Sequence, residues 1–142
     1  MWRTEGPVAS TAENPDLQFF DALLQHVKQR QQIDDERVYL MGMSNGASFA
    51  QLLAFQRSDE IAAVVAHSGS LPKELRSKKP TRPFPILLVV GANDTVEAIE
   101  DSAKEYQENG QTVKLLVVPV IGHAWAKDRN EEFWEFLDKH PR

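Results

Sequence analysis

A chain of 142 residues, 42% apolar and 26% charged, has the size and composition of one globular domain able to bury a sizeable core. Sixteen Lys/Arg against 21 Asp/Glu give a net charge of −5, which excludes the basic face that a nucleic-acid partner needs. With no cysteine, disulfides and thiolate chemistry are excluded as well.

No apolar stretch approaches the roughly 20 residues that span a bilayer, so no membrane span is expected. The first ten residues, MWRTEGPVAS, lack the apolar core of a secretory leader. That points to the cytoplasm, provided no further segment precedes Met1. The Lys/Arg cluster between Lys73 and Arg82 reads as a solvated connecting loop.

In chain order, Asn14-Pro15-Asp16 reads as a helix start, with Asn14 as N-cap and Pro15 at the first helical position. Behind it Leu17, Phe20, Leu24 and Val27 step by 3, 4 and 3 and form one apolar face. The run IDDER is a turn, and VYLMG (38–42) is a short apolar strand of the kind covered on both faces in a parallel sheet. A helix follows at once, lined by Ala47, Ala50, Leu53 and Ala54. IAAVVAHSG (61–69) is a second buried strand, and residues 72–85 form a Pro- and Lys-rich connection. PILLVVG (85–91) is a third strand. Val96, Ile99, Ala103 and Tyr106 define a further helix closed by Asn109-Gly110. VKLLVVP (113–119) is a fourth strand, and Phe133, Trp134, Phe136 and Leu137 mark a terminal helix. Strand and helix therefore alternate, which predicts a single α/β domain over residues 1–142, a parallel sheet with helices on both faces.

In such a sheet, functional groups collect beyond the carboxyl ends of the strands. Ser44 follows the first strand, Asp94 the third and His123 the fourth. A nucleophile, an acid and a base thus occur in chain order, each on its own strand-end loop. Ser44 lies between Gly42 and Gly46 in GMSNG. A serine at a sharp strand-to-helix turn has a strained backbone that exposes its hydroxyl. The two glycines are expected to remove β-carbons that would collide across the turn. His123 would take the Ser44 proton and pass it to the leaving group, and Asp94 would hold the imidazole in the required tautomer. The backbone N–H of Asn45 would be one oxyanion donor. Met43 and Trp125 are candidate lining for an acyl pocket; for Trp125, plain core packing is an equal reading. His67 reads as a hydrogen-bonded structural histidine, His26 and His140 as solvated. No histidine pair has metal-ligand spacing and no glycine-rich loop of the phosphate-cradling kind is present, so no metal site is expected.

Residues 34–72, from DDERVYLMGMSNG to AHSGSLP, with PILLVVGAND and VIGHAW, resemble the α/β-hydrolase superfamily. Gly-Met-Ser-Asn-Gly is similar to the polyhydroxyalkanoate-depolymerase and feruloyl-esterase-like enzymes; Ser-Gly-Ser-Leu-Pro (68–72) is similar to the phospholipase/carboxylesterase group. The resemblance implies a cofactor-free serine hydrolase acting on small-molecule carboxylic esters through an acyl-enzyme on Ser44. It also implies that the N-terminal half of an eight-stranded sheet is missing, including the loop that donates the second oxyanion N–H. Loss of one such donor costs about 10²–10³ in turnover. The strand at 38–42 would then be a bare edge. Either the chain is part of a longer hydrolase, or it completes its sheet by pairing edges in a homo-oligomer. Two other readings stay open: a catalytically impaired remnant that acts in assembly through that edge, and a thioesterase or amidase with the same triad.

Overall fold

A computed structural model describes residues 1–7, 9 and 11–142. Val8 and Ser10, inside the stretch inspected above for a leader, lie outside the described residues. Four strands, β1 (Tyr39–Met43), β2 (Ala63–His67), β3 (Ile86–Gly91) and β4 (Val113–Val118), form one parallel sheet in the order β1-β2-β3-β4. The helices are α1 (Pro15–Arg30), α2 (Asn45–Gln56), α3 (Val96–Glu108) and α4 (Asn130–Asp138).

Alternation along the central strands divides the core. Val64, Ala66, Ile86, Leu88 and Val90 face α2 and α3 and join Leu17, Leu52, Ile99 and Tyr106. Ala63, Val65, Leu87 and Val89 face the other way, onto Phe133, Phe136 and Leu137 of α4. Every residue of β2 and β3 is buried. Strand β1 differs from the doubly covered strand expected, because none of its five residues is fully buried. It is an edge, and a sheet edge has a neighbour on one side only.

The N-terminal segment is tied down by Asn14. Its side chain accepts from the Asp16 N–H at 3.0 Å and donates to the carbonyls of Arg3 (3.0 Å) and Ala9 (2.7 Å). The expected cap thus also holds the preceding segment. A second buried tie is Gln51, which accepts from the Tyr106 hydroxyl (3.1 Å) and donates to the Gly69 carbonyl (2.8 Å). It fastens α2 to α3 and to the loop after β2. His140 departs from the solvated reading: its Nδ1 lies 2.6 Å from the Phe136 carbonyl and its ring packs on Phe136. Among the described residues no helix is long and apolar enough to cross a membrane.

Candidate active site

Ser44 sits between β1 and α2 with φ 55° and ψ −124°. A non-glycine residue held there costs on the order of 1–3 kcal/mol, so its surroundings must over-determine it. They do. The Ser44 N–H donates to the His67 carbonyl at 2.8 Å, and its carbonyl accepts from Ala47 and Ser48 at 3.0 and 3.1 Å. Close approach of backbone fixes the rest. A β-carbon on Gly42 would stand 2.3 Å from the Gly46 carbonyl oxygen, and one on Gly69 would stand 2.3 Å from that of Ser44. The two glycines around Ser44 are therefore not equivalent. A β-carbon on Gly46 would meet nothing nearer than Trp2 Nε1 at 4.0 Å, which corrects the expectation of a clash from both sides. Gly69 is the second crowded position, and it comes from the loop after β2, far away in sequence.

Asn45 opens α2, where the first N–H groups of a helix have no partner in their own ladder. Its side chain does something that sequence reading did not foresee. Oδ1 accepts from the Trp2 N–H at 2.8 Å and Nδ2 donates to the Trp2 carbonyl at 3.2 Å. The Trp2 indole stacks on Phe49 of the same helix, centroids 4.6 Å apart. The start of the chain is thereby clamped to the N-terminal turn of α2.

Asp94 and His123 lie on adjacent loops past β3 and β4. His123 Nδ1 is 3.0 Å from Asp94 Oδ2. The carboxylate side chain is 6% exposed and the imidazole 51%, so the acid is sheltered and the base reaches solvent. Asp94 Oδ1 accepts from the Thr95 N–H at 2.8 Å. Burial pushes the Asp94 carboxyl up, yet hydrogen bonds from Ser68, the Thr95 amide and His123, with the His123 charge, prevail and hold it below the usual carboxylate value. Asn93 locks the two loops: its N–H donates to the Ile121 carbonyl at 3.0 Å and its Nδ2 to the Val120 carbonyl at 3.2 Å. Gly91 permits this contact, since a β-carbon there would stand 2.4 Å from the Ile121 oxygen.

Ser44, Asp94 and His123 thus stand at the carboxyl ends of β1, β3 and β4, on one edge of the sheet. Among the described residues no hydrogen bond joins Ser44 Oγ to His123. Such bonds are often long until substrate binds. Met43 ends β1 opposite His67 in register and is half-buried. The Trp125 ring lies against His67 (centroids 5.2 Å) and edge-on to Phe133 (5.4 Å), with Nε1 donating to Asn130 at 2.8 Å. It also borders a cleft of about 500 Å³ with Val118 and Ile121.

His67 is buried and hydrogen-bonded through both ring nitrogens, as the structural reading of it expects, and Ser68 beside it is a residue that the sequence reading does not single out. His67, wholly buried, places Nδ1 2.9 Å from Ser68 Oγ, while its Nε2 accepts from the Ala126 N–H at 3.2 Å. Ser68 directly follows β2 as Ser44 follows β1, and it has the same φ of 55°. A serine directly past a strand, repeated on neighbouring strands, was the available signal.

A parallel sheet with a strained serine between its first strand and helix, and an acid and a histidine on later strand ends, defines the α/β-hydrolase class. Solved esterases share the fold. The crystal structure of esterase PE8 superposes with a TM-score of 0.75 at 22% identity, over 93% of this chain and 64% of that one. The carboxylesterase of Bacillus cereus superposes at 0.69 and 20% identity, over 89% and 63%. The chain belongs to the dienelactone hydrolase family, whose family model matches residues 7–139. It is 33% identical over 125 residues to feruloyl esterase B of Piromyces equi, covering 86% of this chain and 23% of that protein. It is 34% identical over 96 residues to the bifunctional acetylxylan esterase/xylanase XynS20E of Neocallimastix patriciarum, covering 66% and 14%. The chain therefore spans a quarter or less of the length of these relatives.

Proposed function

We propose that the chain hydrolyses carboxylic esters through an acyl-enzyme on Ser44. His123 acts as general base and then general acid, Asp94 orients the imidazole, and the Asn45 backbone N–H is one oxyanion donor. The observation that carries this reading is the strained Ser44 backbone at the α2 N-terminus, on the same sheet edge as the 3.0 Å His123–Asp94 pair. Strain of this kind persists where it serves chemistry, and the sheltered, depressed Asp94 carboxyl stays ionised to steady an imidazolium. His123 takes the Ser44 proton as Oγ attacks the ester carbonyl. The N-terminus of α2 favours the developing oxyanion. The imidazolium then protonates the departing alcohol, and water activated by the same nitrogen releases the acid. The esterase relatives support the ester as substrate class.

The test is hydrolysis of short-chain p-nitrophenyl esters beside Ser44→Ala, with fluorophosphonate labelling mapped by mass spectrometry. Loss of turnover and of the label at Ser44 is the expected result; retained hydrolysis in the variant refutes it. A panel of thioesters and amides separates the ester reading from a thioesterase or amidase with the same triad.

A second reading has its own observation. The free edge of β1 adjoins a groove of about 220 Å³ lined by Trp2, Phe19, Leu23 and Met41, each more than one-third exposed. Assembly through this edge, with or without catalysis, predicts sedimentation as an oligomer. A monomer at high micromolar concentration removes it.

A further inference from the structure

Ser44 stands at the N-cap of α2, where a serine usually ties its hydroxyl to an amide of the first turn; here it makes no such bond. The hydroxyl is thereby left to chemistry, but the start of the helix loses its customary brace. Gly46, two residues on, has no side chain to pack, and the turn is closed by the Ala47 and Ser48 amides on the Ser44 carbonyl. The Asn45 N–H, the donor for the oxyanion, lies in this lightly held stretch.

A brace comes from 43 residues away. Asn45 Oδ1 accepts from the Trp2 N–H at 2.8 Å while its Nδ2 donates to the Trp2 carbonyl at 3.2 Å, so one side chain holds both backbone polar groups of one residue. The Trp2 indole stacks on Phe49, centroids 4.6 Å apart and planes within 6° of parallel. Positions 45 and 49 are neighbours on one helix face, so Trp2 grips α2 at two points one turn apart. Trp2 is itself anchored through the next residue: the Arg3 N–H donates to Asp16 Oδ2 at 2.7 Å, and the Arg3 carbonyl accepts from Asn14 Nδ2 at 3.0 Å. A continuous path thus runs from the capped start of α1 through residues 3 and 2 to the residue after the nucleophile.

We propose that the Asn45 side chain and Trp2 are positioning residues: together they form a substitute cap for α2, which leaves the Ser44 hydroxyl unencumbered and fixes the direction of the Asn45 N–H. This rests on the triad reading above. An oxyanion donor works by being aimed before the charge develops. A first turn released from Trp2 would aim it less well, and the loss would fall on the transition state, where the charge is, and not on the bound ester. Neither side chain is asked to touch the reacting atoms.

The test compares Asn45→Ala, Trp2→Ala and the double variant with the parent. Alanine at position 45 keeps the backbone N–H and is a strong helix former, so it removes the clamp and little else. Turnover of p-nitrophenyl acetate is expressed per site labelled by a fluorophosphonate at completion, which discounts unfolded protein. In Asn45→Ala, kcat should fall roughly 10- to 100-fold, less than the loss of a donor outright, with KM within about twofold. Trp2→Ala keeps the main-chain bonds and loses the stack, so kcat should fall by roughly 3- to 10-fold. In the Asn45→Ala background the same change should cost less than about twofold, because the ring acts through Asn45. Hydrogen exchange at the Ala47 and Ser48 amides, read by NMR, should quicken in both single variants while that of β3 does not. An unchanged kcat per labelled site in Asn45→Ala, a loss confined to KM, an equal Trp2→Ala loss in both backgrounds, or unaltered exchange in the first turn overturns this inference and leaves the triad reading standing. Hydrolysis that survives Ser44→Ala overturns the triad reading and the positioning role with it. The exchange measurement needs no turnover, so the two failures are distinguishable.

Discussion

Replacing Gly42 by alanine is a sharp perturbation of the elbow because its neighbours are all backbone. The new β-carbon would lie 2.3 Å from the Gly46 oxygen, 2.5 Å from the Gly46 carbon and 2.8 Å from the Ala47 nitrogen. Carbon and oxygen rest at about 3.5 Å or a little less, so the first turn of α2 must retreat by about 1 Å. No rotamer change can absorb this, since no side chain is involved. Overpacking of this kind costs about 1–3 kcal/mol, or about 3–9 °C in melting temperature at roughly 3 °C per kcal/mol for a chain of this size. The same retreat carries Ser44 and the Asn45 N–H with it, and a 1 Å misplacement of a reacting group is worth about 10²-fold in kcat. Gly46→Ala is the internal control. Its β-carbon has open space to 4.0 Å, and alanine is favoured over glycine inside a helix by about 0.5–1 kcal/mol. Calorimetry and p-nitrophenyl ester hydrolysis of both variants should show Gly42→Ala destabilised and slow, Gly46→Ala as stable as the parent or more so. If Gly46→Ala loses as much stability as Gly42→Ala, or if neither loses any, the steric account of the elbow is refuted.

Ser44→Gly should abolish hydrolysis while raising the melting temperature, because glycine relieves a φ of 55° worth about 1–3 kcal/mol; thermal unfolding beside Ser44→Ala, which keeps the strain, separates the two effects. Gln51→Leu should destabilise the chain by about 2–4 kcal/mol in urea unfolding, since it strands the Tyr106 hydroxyl and the Gly69 carbonyl, both buried, without partners. For His67 the folded pKa lies below the ordinary imidazole value, chiefly through burial. The unfolded chain therefore takes up the proton first as pH falls, so this contribution to stability is intact above the unfolded pKa and is lost from about pH 6.5 downward toward the lower folded value. Unfolding free energies at about pH 7.5 and pH 5.5 should decline for the parent and decline less for His67→Gln.

The sequence alone determined the class of fold and the three candidate catalytic residues. Local signals sufficed for both. The Asn14-Pro15 start specified α1, the 3-4-3 spacings specified α1 and α3, and the unbroken apolar runs at 61–66 and 86–90 could only be covered strands. Because functional groups in a parallel sheet stand at strand ends, naming the strands was enough to name Ser44, Asp94 and His123. What needed the tertiary structure was everything that depends on one strand lying beside another. Gly69 and Gly91 are crowded by backbone 25 and 30 residues away, and nothing in their own neighbourhoods marks them. Gly46 looked like the partner of Gly42 by symmetry of sequence, but a helix start is not symmetric about the preceding turn, so only one of the two β-carbons collides. The clamp from Asn45 to Trp2 joins positions 43 residues apart. The link from Ala126 through His67 to Ser68 exists because the buried end of β2 lies beneath both the acid and the histidine loops. Chain-local physics writes helices, strands and turns into the sequence; the direction in which a buried polar side chain finds its partner is decided only when the sheet has brought distant loops together.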